Sequence, residues 1–385
     1  MKRWLPGLAV TLTGLVSITT WLFAAESRGT RPPGGYGAPP AIPAHATPTR
    51  ATSDAIRNEA FARAAVRLAP DDPFAAPAPM PADDPLAAAL VTCEFVTSPP
   101  SGTTPKFECA LPGGEVVKVK YGRNPEIHAE AAATRLLSRL GWAADSVTIV
   151  PRLRCYGCPR LPFMTMRLRT LPLVPYLVPA RHDGGYTGFE MVAVERKFPA
   201  PAIETDTQEG CGWWELKRSR VDRADIDAFR LLALFLAHWD NKGSNQRLVC
   251  LDEQGERGQG RGEDYCSRPL LMIHDLGATF GPSKVNLARW RQAPIWSDAA
   301  ACQASMRTLP YRGATFSDVQ ISEGGRQRLL EQLGTLTAAD VRAVFAAARF
   351  PEYHSSTDDE HDLDEWTSAF MHRVAMIADA GPCPT

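Results

Sequence analysis

The chain is expected to fold as an α+β protein of two lobes, the first built on an antiparallel sheet and the second mainly helical. Three observations carry this expectation. Strand-like segments crowd residues 90–121 and recur as far as 195. From about 322 onward the apolar spacing is helical. Strands first and helices last segregate by layer instead of alternating as βαβ units. The third is size: 385 residues, 44% of them hydrophobic, are enough for one large core or two lobes.

Taken in order, Lys2 and Arg3 precede a mostly apolar stretch at 4–25, the charge and hydropathy pattern of an export signal. Phe23 and Leu22 stand where small residues favour cleavage, so residues 1–25 read as a signal peptide or a retained N-terminal anchor. Twelve of the 33 prolines lie between Pro32 and Pro85, and so interrupted a segment cannot run a long helix or a central strand. Residues 26–85 are therefore expected to form a Pro/Ala-rich disordered tether. Within it, 53–68 (SDAIRNEAFARAAVRL) has a Ser cap and helical spacing, with docking on the domain left open.

Residues 86–195 are assigned to the first lobe and 196–385 to the second. Strands are expected at 90–96, 106–111 and 115–121, the first two joined by SPPSGTTP. A helix at 125–140 stops at Gly141. Further strands are expected at 146–150, 163–167 and 189–195. A strongly apolar helix at 224–237 leads into His238-Trp239-Asp240-Asn241-Lys242-Gly243-Ser244-Asn245, and short strands follow at 247–251 and 270–273.

The 42 basic and 43 acidic side chains leave a net charge of −1. That balance lacks the basic footprint of a nucleic-acid binder, so no nucleic-acid partner is expected. Any charge that binds phosphate must be local to a cleft.

Moving a phosphoryl group needs a cation on the phosphates, oxygen ligands for a metal ion and an acceptor for a hydroxyl proton. The order His238-x-Asp240-x-Lys242-x-x-Asn245 has the spacing of a kinase catalytic loop, H-x-D-x-K-x-x-N. Asp275-Leu276-Gly277 follows a short strand in the manner of D-F-G. Upstream, a strand bearing Lys118 and Lys120 runs into a helix bearing Glu126 and Glu130.

On these residues the chain resembles the protein-kinase-like superfamily, on the atypical side that holds the secreted Golgi casein kinase type, HipA and the phosphatidylinositol 4-kinases. The resemblance covers about 90–279. It implies a bilobal fold and ATP-dependent transfer of the γ-phosphate to a hydroxyl acceptor, on protein Ser/Thr or a small molecule, with Mg²⁺ or Mn²⁺. It implies that Asp240 orients or deprotonates the acceptor and that Lys242 meets the transferred phosphate. Asn245 and Asp275 would hold the metal. Either Lys118 or Lys120 would hold the nucleotide phosphates and pair with a helix glutamate. Lys118 is favoured because Val116, two residues before it, is apolar as in V-A-I-K, and Glu130 is chosen over Glu126 for its depth in the helix. Ser101, Gly102 and Thr103, with Thr104, stand in for a glycine-rich phosphate cover.

The departures are definite: no G-x-G-x-x-G, no A-P-E after Gly277, and a separation of thirty positions from Asn245 to Asp275 with a polar insertion at 252–264. Trp239 replaces the arginine that reads a phosphorylated activation loop, so no such control is expected. These features keep a second reading open, a nucleotide-binding or scaffolding pseudokinase tethered at the cell surface.

Nine cysteines fit an exported chain if they pair. Cys93 with Cys109, Cys250 with Cys266, and Cys155 with Cys158 are the expected local pairs, and two of Cys211, Cys302 and Cys383 are expected to join. No second C-x-x-C accompanies Cys155 and Cys158, which argues against zinc. The acidic run at 358–365 lacks the glycine and spacing of a calcium loop and reads as a solvated helix start. His128 and His274 are expected to pack beside the site rather than act in it.

Overall fold

The computed structural model describes residues 49–384 apart from 52–53, 76–80, 82, 183, 206–207, 253–265, 311–312 and 354–357. The signal or anchor at 1–25, the tether at 26–48 and nearly all of the insertion at 252–264 lie outside the described residues.

The described chain opens with strand β1 (Thr49–Ala51) and helix α1 (Asp54–Arg63). Here the tether reading needs correcting, because residues 54–75 belong to the folded body. Phe61, Val66 and Leu68 are buried, and Ala65 bridges to Leu270 of the second lobe. Arg57, also buried, donates to the Gly210 carbonyl at 2.6 Å and to Glu215 at 3.3 Å. Apolar burial and a buried ion pair offset the ordering entropy that a Pro-rich chain otherwise keeps.

Five strands make the first lobe: β2 (Val91–Val96), β3 (Lys106–Ala110), β4 (Val116–Lys120), and, after helix α2 (Glu126–Arg139), β5 (Ser146–Tyr156) and β6 (Tyr186–Arg196). Their order is β2-β3-β4-β6-β5, and a parallel pairing of β2 with β5 closes the sheet into a barrel. Alternation divides each strand between two faces. Phe107 and Cys109 of β3, with Val117 and Val119 of β4, join Phe95, Phe189, Val192 and Val194 in the barrel core. Lys106, Glu108, Lys118 and Lys120 occupy the opposite face; α2 packs on β5 and β6 and meets β4 through Glu130 and Lys120.

Between β5 and β6 lie two short helices, α3 (Pro162–Leu168) and α4 (Val174–Leu177). The expected strand at 163–167 is thus a helix. Pro162 presets a helical φ at the first turn, the Met, Leu and Arg that follow favour helix, and β5 and β6 pair directly, leaving no edge between them.

The second lobe begins with β7 (Ala202–Glu204), flanked in one sheet by β1 and by β8 (Gln246–Cys250), to which β9 (Pro269–Ile273) is added. The apolar helix between β7 and β8 is α5 (Arg223–Phe235), capped by Asp222 accepting from the Ala224 amide at 2.9 Å. Helices α6 (Leu287–Gln292), α7 (Glu323–Gly334), α8 (Ala338–Ala347) and α9 (Leu363–Ala378) complete it around Phe280, Trp290, Phe345 and Trp366. The acidic run leads into α9, where Asp362 accepts from the Asp364 amide at 2.8 Å as the cap. The α+β architecture, sheet first and helices last, is the one expected.

The three local cysteine pairs form, Cys302 bonds Cys383, and Cys211 is buried with a free thiol. Among the described residues no helix is long and apolar enough to cross a membrane. Unreduced, denatured protein should therefore bind one equivalent of a thiol reagent and fully reduced protein nine. Nine equivalents without reductant would refute the pairing.

Candidate active site

The lysine-bearing face of β4 meets the inner side of α2. Lys120 Nζ lies 2.5 and 2.6 Å from the two carboxylate oxygens of Glu130, one helical turn into α2, and 3.1 Å from Glu195 at the end of β6. Lys118 reaches the other Glu195 oxygen at 3.1 Å. The favoured lysine is therefore not the one that meets the helix. Register explains the difference: Lys118 is opposite Glu195 across β4 and β6, whereas Lys120 is opposite small Ala193, which leaves its side chain to reach α2.

Burial works against the charge on Lys120, yet Glu130, Glu195 and Asp275 together hold its ammonium well above the ordinary lysine range. Burial likewise raises the Glu130 carboxyl against the pull of Lys120. Burial pulls Lys118 down to about 8, against the attraction of Glu195.

The second half of the site is set by the end of α5. Ala237 takes a left-handed φ of 50°, a strained conformation for a residue with a Cβ, and turns the chain into the 238–245 loop. His238 is fully buried, and the Trp239 amide donates to the Ala278 carbonyl at 3.0 Å. The Phe280 amide donates to the Leu236 carbonyl at 2.8 Å and the His274 amide to the Asn245 carbonyl at 2.7 Å. These bonds, with the β8–β9 hairpin and its Cys250–Cys266 disulfide, bring Asn245 beside Asp275, thirty positions further along the chain.

Asp240 is 32% exposed, enough to meet an incoming group, and accepts from Lys242 Nζ at 2.7 Å. Asn245 Nδ2 donates to the Asp240 carbonyl at 2.5 Å, which leaves its buried side-chain oxygen as the atom to face a cation. Asp275 accepts from the Gly277 amide at 3.2 Å. Burial opposes its charge, but Lys120, His274 and that amide hold its carboxyl at about 2. Asp275 and Asn245 thus offer hard oxygen donors, one firmly anionic, a set that fits Mg²⁺ or Mn²⁺ better than a thiophilic metal.

Of the loop residues, Ser101, Gly102 and Thr103 are exposed, and Gly102 has a φ of 65°. Ser101 lines a small recess with Lys106, Glu108 and Lys118. The structure thus joins Lys120, Glu130 and Asp275 in one group and Asp240, Lys242 and Asn245 in an adjoining one. Lys118 and Ser101 lie to the side.

Three further residues belong to the site. Lys106 is opposite Lys120 across β3 and β4, and its ammonium is lowered by burial and by Lys120. Glu195 joins Lys118, Lys120 and Lys197. Glu126, in the first turn of α2, is raised by burial, countered by an Asn124 hydrogen bond, and raised further by Asp275 and Asp240. Period-2 alternation places Lys106 on the lysine face from sequence alone; a charged end to the apolar strand at 189–195 was the signal for Glu195.

A second network buttresses this one from behind. Buried Asp145 accepts from Lys197 Nζ at 3.0 Å and from the Phe198 amide at 2.8 Å, and lies 2.9 Å from His274 Nδ1. Burial opposes its charge, but Lys197 and His274 hold its carboxyl well below the usual range. Because the folded-state value is depressed, its contribution is complete above the ordinary carboxylate range and is lost as pH falls through the folded value. Asp145→Asn should cost on the order of 2–4 kcal/mol at pH 7, with the gap from wild type narrowing below about pH 4 in melts across pH. A gap that widens in acid would refute this.

No family model and no curated protein matches the chain. Among solved structures it is similar to a Helicobacter pylori proinflammatory kinase, CtkA, with TM-score 0.40 and 10% identity over 75% of this chain and 94% of that one. It is also similar to the Golgi casein kinase, with TM-score 0.34 and 11% identity over 77% of this chain and 74% of that one.

Proposed function

We propose that the chain is an exported phosphotransferase that moves the γ-phosphoryl group of ATP, with Mg²⁺ or Mn²⁺, to a hydroxyl acceptor on a protein Ser/Thr or a small molecule. The observation that carries this reading is the buried Lys120–Glu130 pair on one lobe facing Asp275, with Asp240 and Asn245 on the adjoining loop. Lys120, fixed by Glu130, would hold nucleotide phosphates as a point charge. Asn245 and Asp275 would hold the metal, which neutralises phosphate charge when bound. Asp240 would accept the acceptor's proton as its oxygen bonds to the γ-phosphorus and the bond to the ADP oxygen breaks. Lys242, 2.7 Å from Asp240, would keep that carboxylate aimed and meet the moving phosphate. Four disulfides support export.

The irregular 97–105 loop, with the Lys118–Glu195 pair beside it, favours a second reading in which the site binds a nucleotide without turnover. Purified protein heated with and without Mg²⁺-ATP, then supplied with ATP labelled at γ or at α, separates these outcomes. Stabilisation with γ-label transfer supports phosphotransfer, α-label transfer means that AMP moves instead, and stabilisation without transfer supports the second reading. Asp275→Ala should lower transfer by roughly 10²–10³-fold. Unchanged transfer in that variant would refute the metal role.

A further inference from the structure

The stretch between β5 and β6 is the least covered part of the described chain. Seven of the nine large apolar side chains that stand exposed among the described residues lie at 161–177. Three are nearly free of neighbours: Leu173 is 73% exposed, Tyr176 88% and Leu177 79%. Side chains exposed to that degree protrude from a surface instead of lining a groove.

The stretch itself carries charge of one sign, and an acidic group outside it, Glu94, lies 4.0 Å from Arg181. From Ser146 to His182 the sequence carries Arg152, Arg154, Arg160, Arg167, Arg169 and Arg181 and no Asp or Glu. The projection is also a built structure. The Cys155–Cys158 disulfide closes its base, where the Gly157 amide donates to Gly185 and the His182 amide to Gly157, each at 3.0 Å. Phe163 is buried, and its amide donates to the Tyr121 hydroxyl at 3.2 Å. Arg169 ties the tip together by donating to the carbonyls of Pro175, at 3.0 Å, and Val178.

A folded protein gains nothing from holding leucines and a tyrosine in water. We propose that residues 160–182 are a docking surface for an anionic lipid bilayer. Leu173, Tyr176 and Leu177 enter the headgroup boundary, and the arginines meet lipid phosphates. Charge complementarity selects the occupant: a segment with four arginines and no acid of its own, with protruding Leu and Tyr, matches an interfacial segment, while a flat protein partner would leave such side chains without pockets. The apolar N-terminal stretch at 4–25 would bring the chain to the same surface if it is retained. The inference does not depend on phosphotransfer.

The test uses full-length protein and a readout local to the segment, because residues 1–25 could bind lipid by themselves. Amide hydrogen exchange is followed with vesicles of phosphatidylcholine alone, with vesicles containing phosphatidylglycerol, and without lipid at rising protein concentration. Protection at 160–182 is expected only with phosphatidylglycerol and should fade in high salt. Arg160→Glu combined with Arg167→Glu should weaken that protection by more than tenfold in lipid concentration, since each basic group near an anionic surface is worth roughly fivefold. Leu173→Ser, Tyr176→Ser and Leu177→Ser together should abolish it while thermal unfolding and the single free thiol stay unchanged. No protection with anionic vesicles, equal protection with neutral ones, or protection that needs only more protein would each overturn the proposal, the last by assigning the surface to a second copy.

Discussion

Lys120→Met is expected to abolish both stabilisation by Mg²⁺-ATP and label transfer, while Lys118→Met keeps a measurable part of each. Lys120 alone touches both Glu130 and Glu195 and feels Asp275, so its removal takes the phosphate-facing charge and leaves two buried carboxylates without it. Breaking a buried pair by removing one partner costs about 3–5 kcal/mol, so the single variant will also be less stable. Lys120→Met combined with Glu130→Gln separates the two effects. The double variant should regain stability, since the buried charge goes with its partner, but it should not regain transfer. Lys118→Met is milder because Glu195 keeps Lys120 and Lys197. Transfer that survives Lys120→Met and disappears in Lys118→Met would return the phosphate role to Lys118.

The largest effect on folding is expected at Arg373 of α9. Its guanidinium is fully buried and has no carboxylate partner in the described structure. It donates instead to four carbonyls: Leu234 and Phe235 at 2.8 Å, Trp290 and Ala293 at 2.6 Å. Two of these are the last carbonyls of α5, which a cation favours at a helix C-terminus. Trp290 Nε1 adds a second donor to Phe235 at 2.9 Å. Arg373 therefore fixes the point from which α5 releases the 238–245 loop. Burial pulls its guanidinium down to about 9, still protonated at neutral pH. Arg373→Met leaves several buried acceptors unsatisfied and should cost roughly 4 kcal/mol or more, read as a lower urea midpoint of the oxidised protein. Arg373→Lys should recover little, because one ammonium cannot span four carbonyls held by a planar fork. A midpoint within error of wild type would show that water or a rearranged turn satisfies these carbonyls.

Much of the framework was legible because it depends on local chemistry. Period-2 patterns gave the strands of the first lobe, and helix formers ending at Gly141 gave α2. Cysteines set symmetrically about a turn or three residues apart gave three pairs. Two misreadings share one cause. Proline density put 54–75 in a tether with the docking of its helix left open, and a short apolar run at 163–167 looked like a strand. Both outcomes turned on what lay nearby in space: a pocket for Phe61 and an ion pair for Arg57 in one case, and no available sheet edge in the other.

The candidate site divides in the same way. Spacing along the chain marked Asp240, Lys242, Asn245 and Asp275, and the strand period put Lys118 and Lys120 on one face. The apolar residue two before Lys118 ranked that lysine first, and the ranking failed because the answer lay in what stood across on β6: Glu195 for Lys118 and Ala193 for Lys120. Spacing could not show that α1 supports the loop, where Arg57 binds the Gly210 carbonyl and a Cβ at Gly210 would collide with the Gly243 carbonyl. By itself the sequence determined which residue types are available, on which face of each element, and which cysteines are close in the chain, because these follow from backbone periodicity and short separations. Only the tertiary structure decided which charges meet, because a buried ion pair is a contact between elements distant in sequence, and its energy depends on separations of a few ångströms that no local pattern encodes.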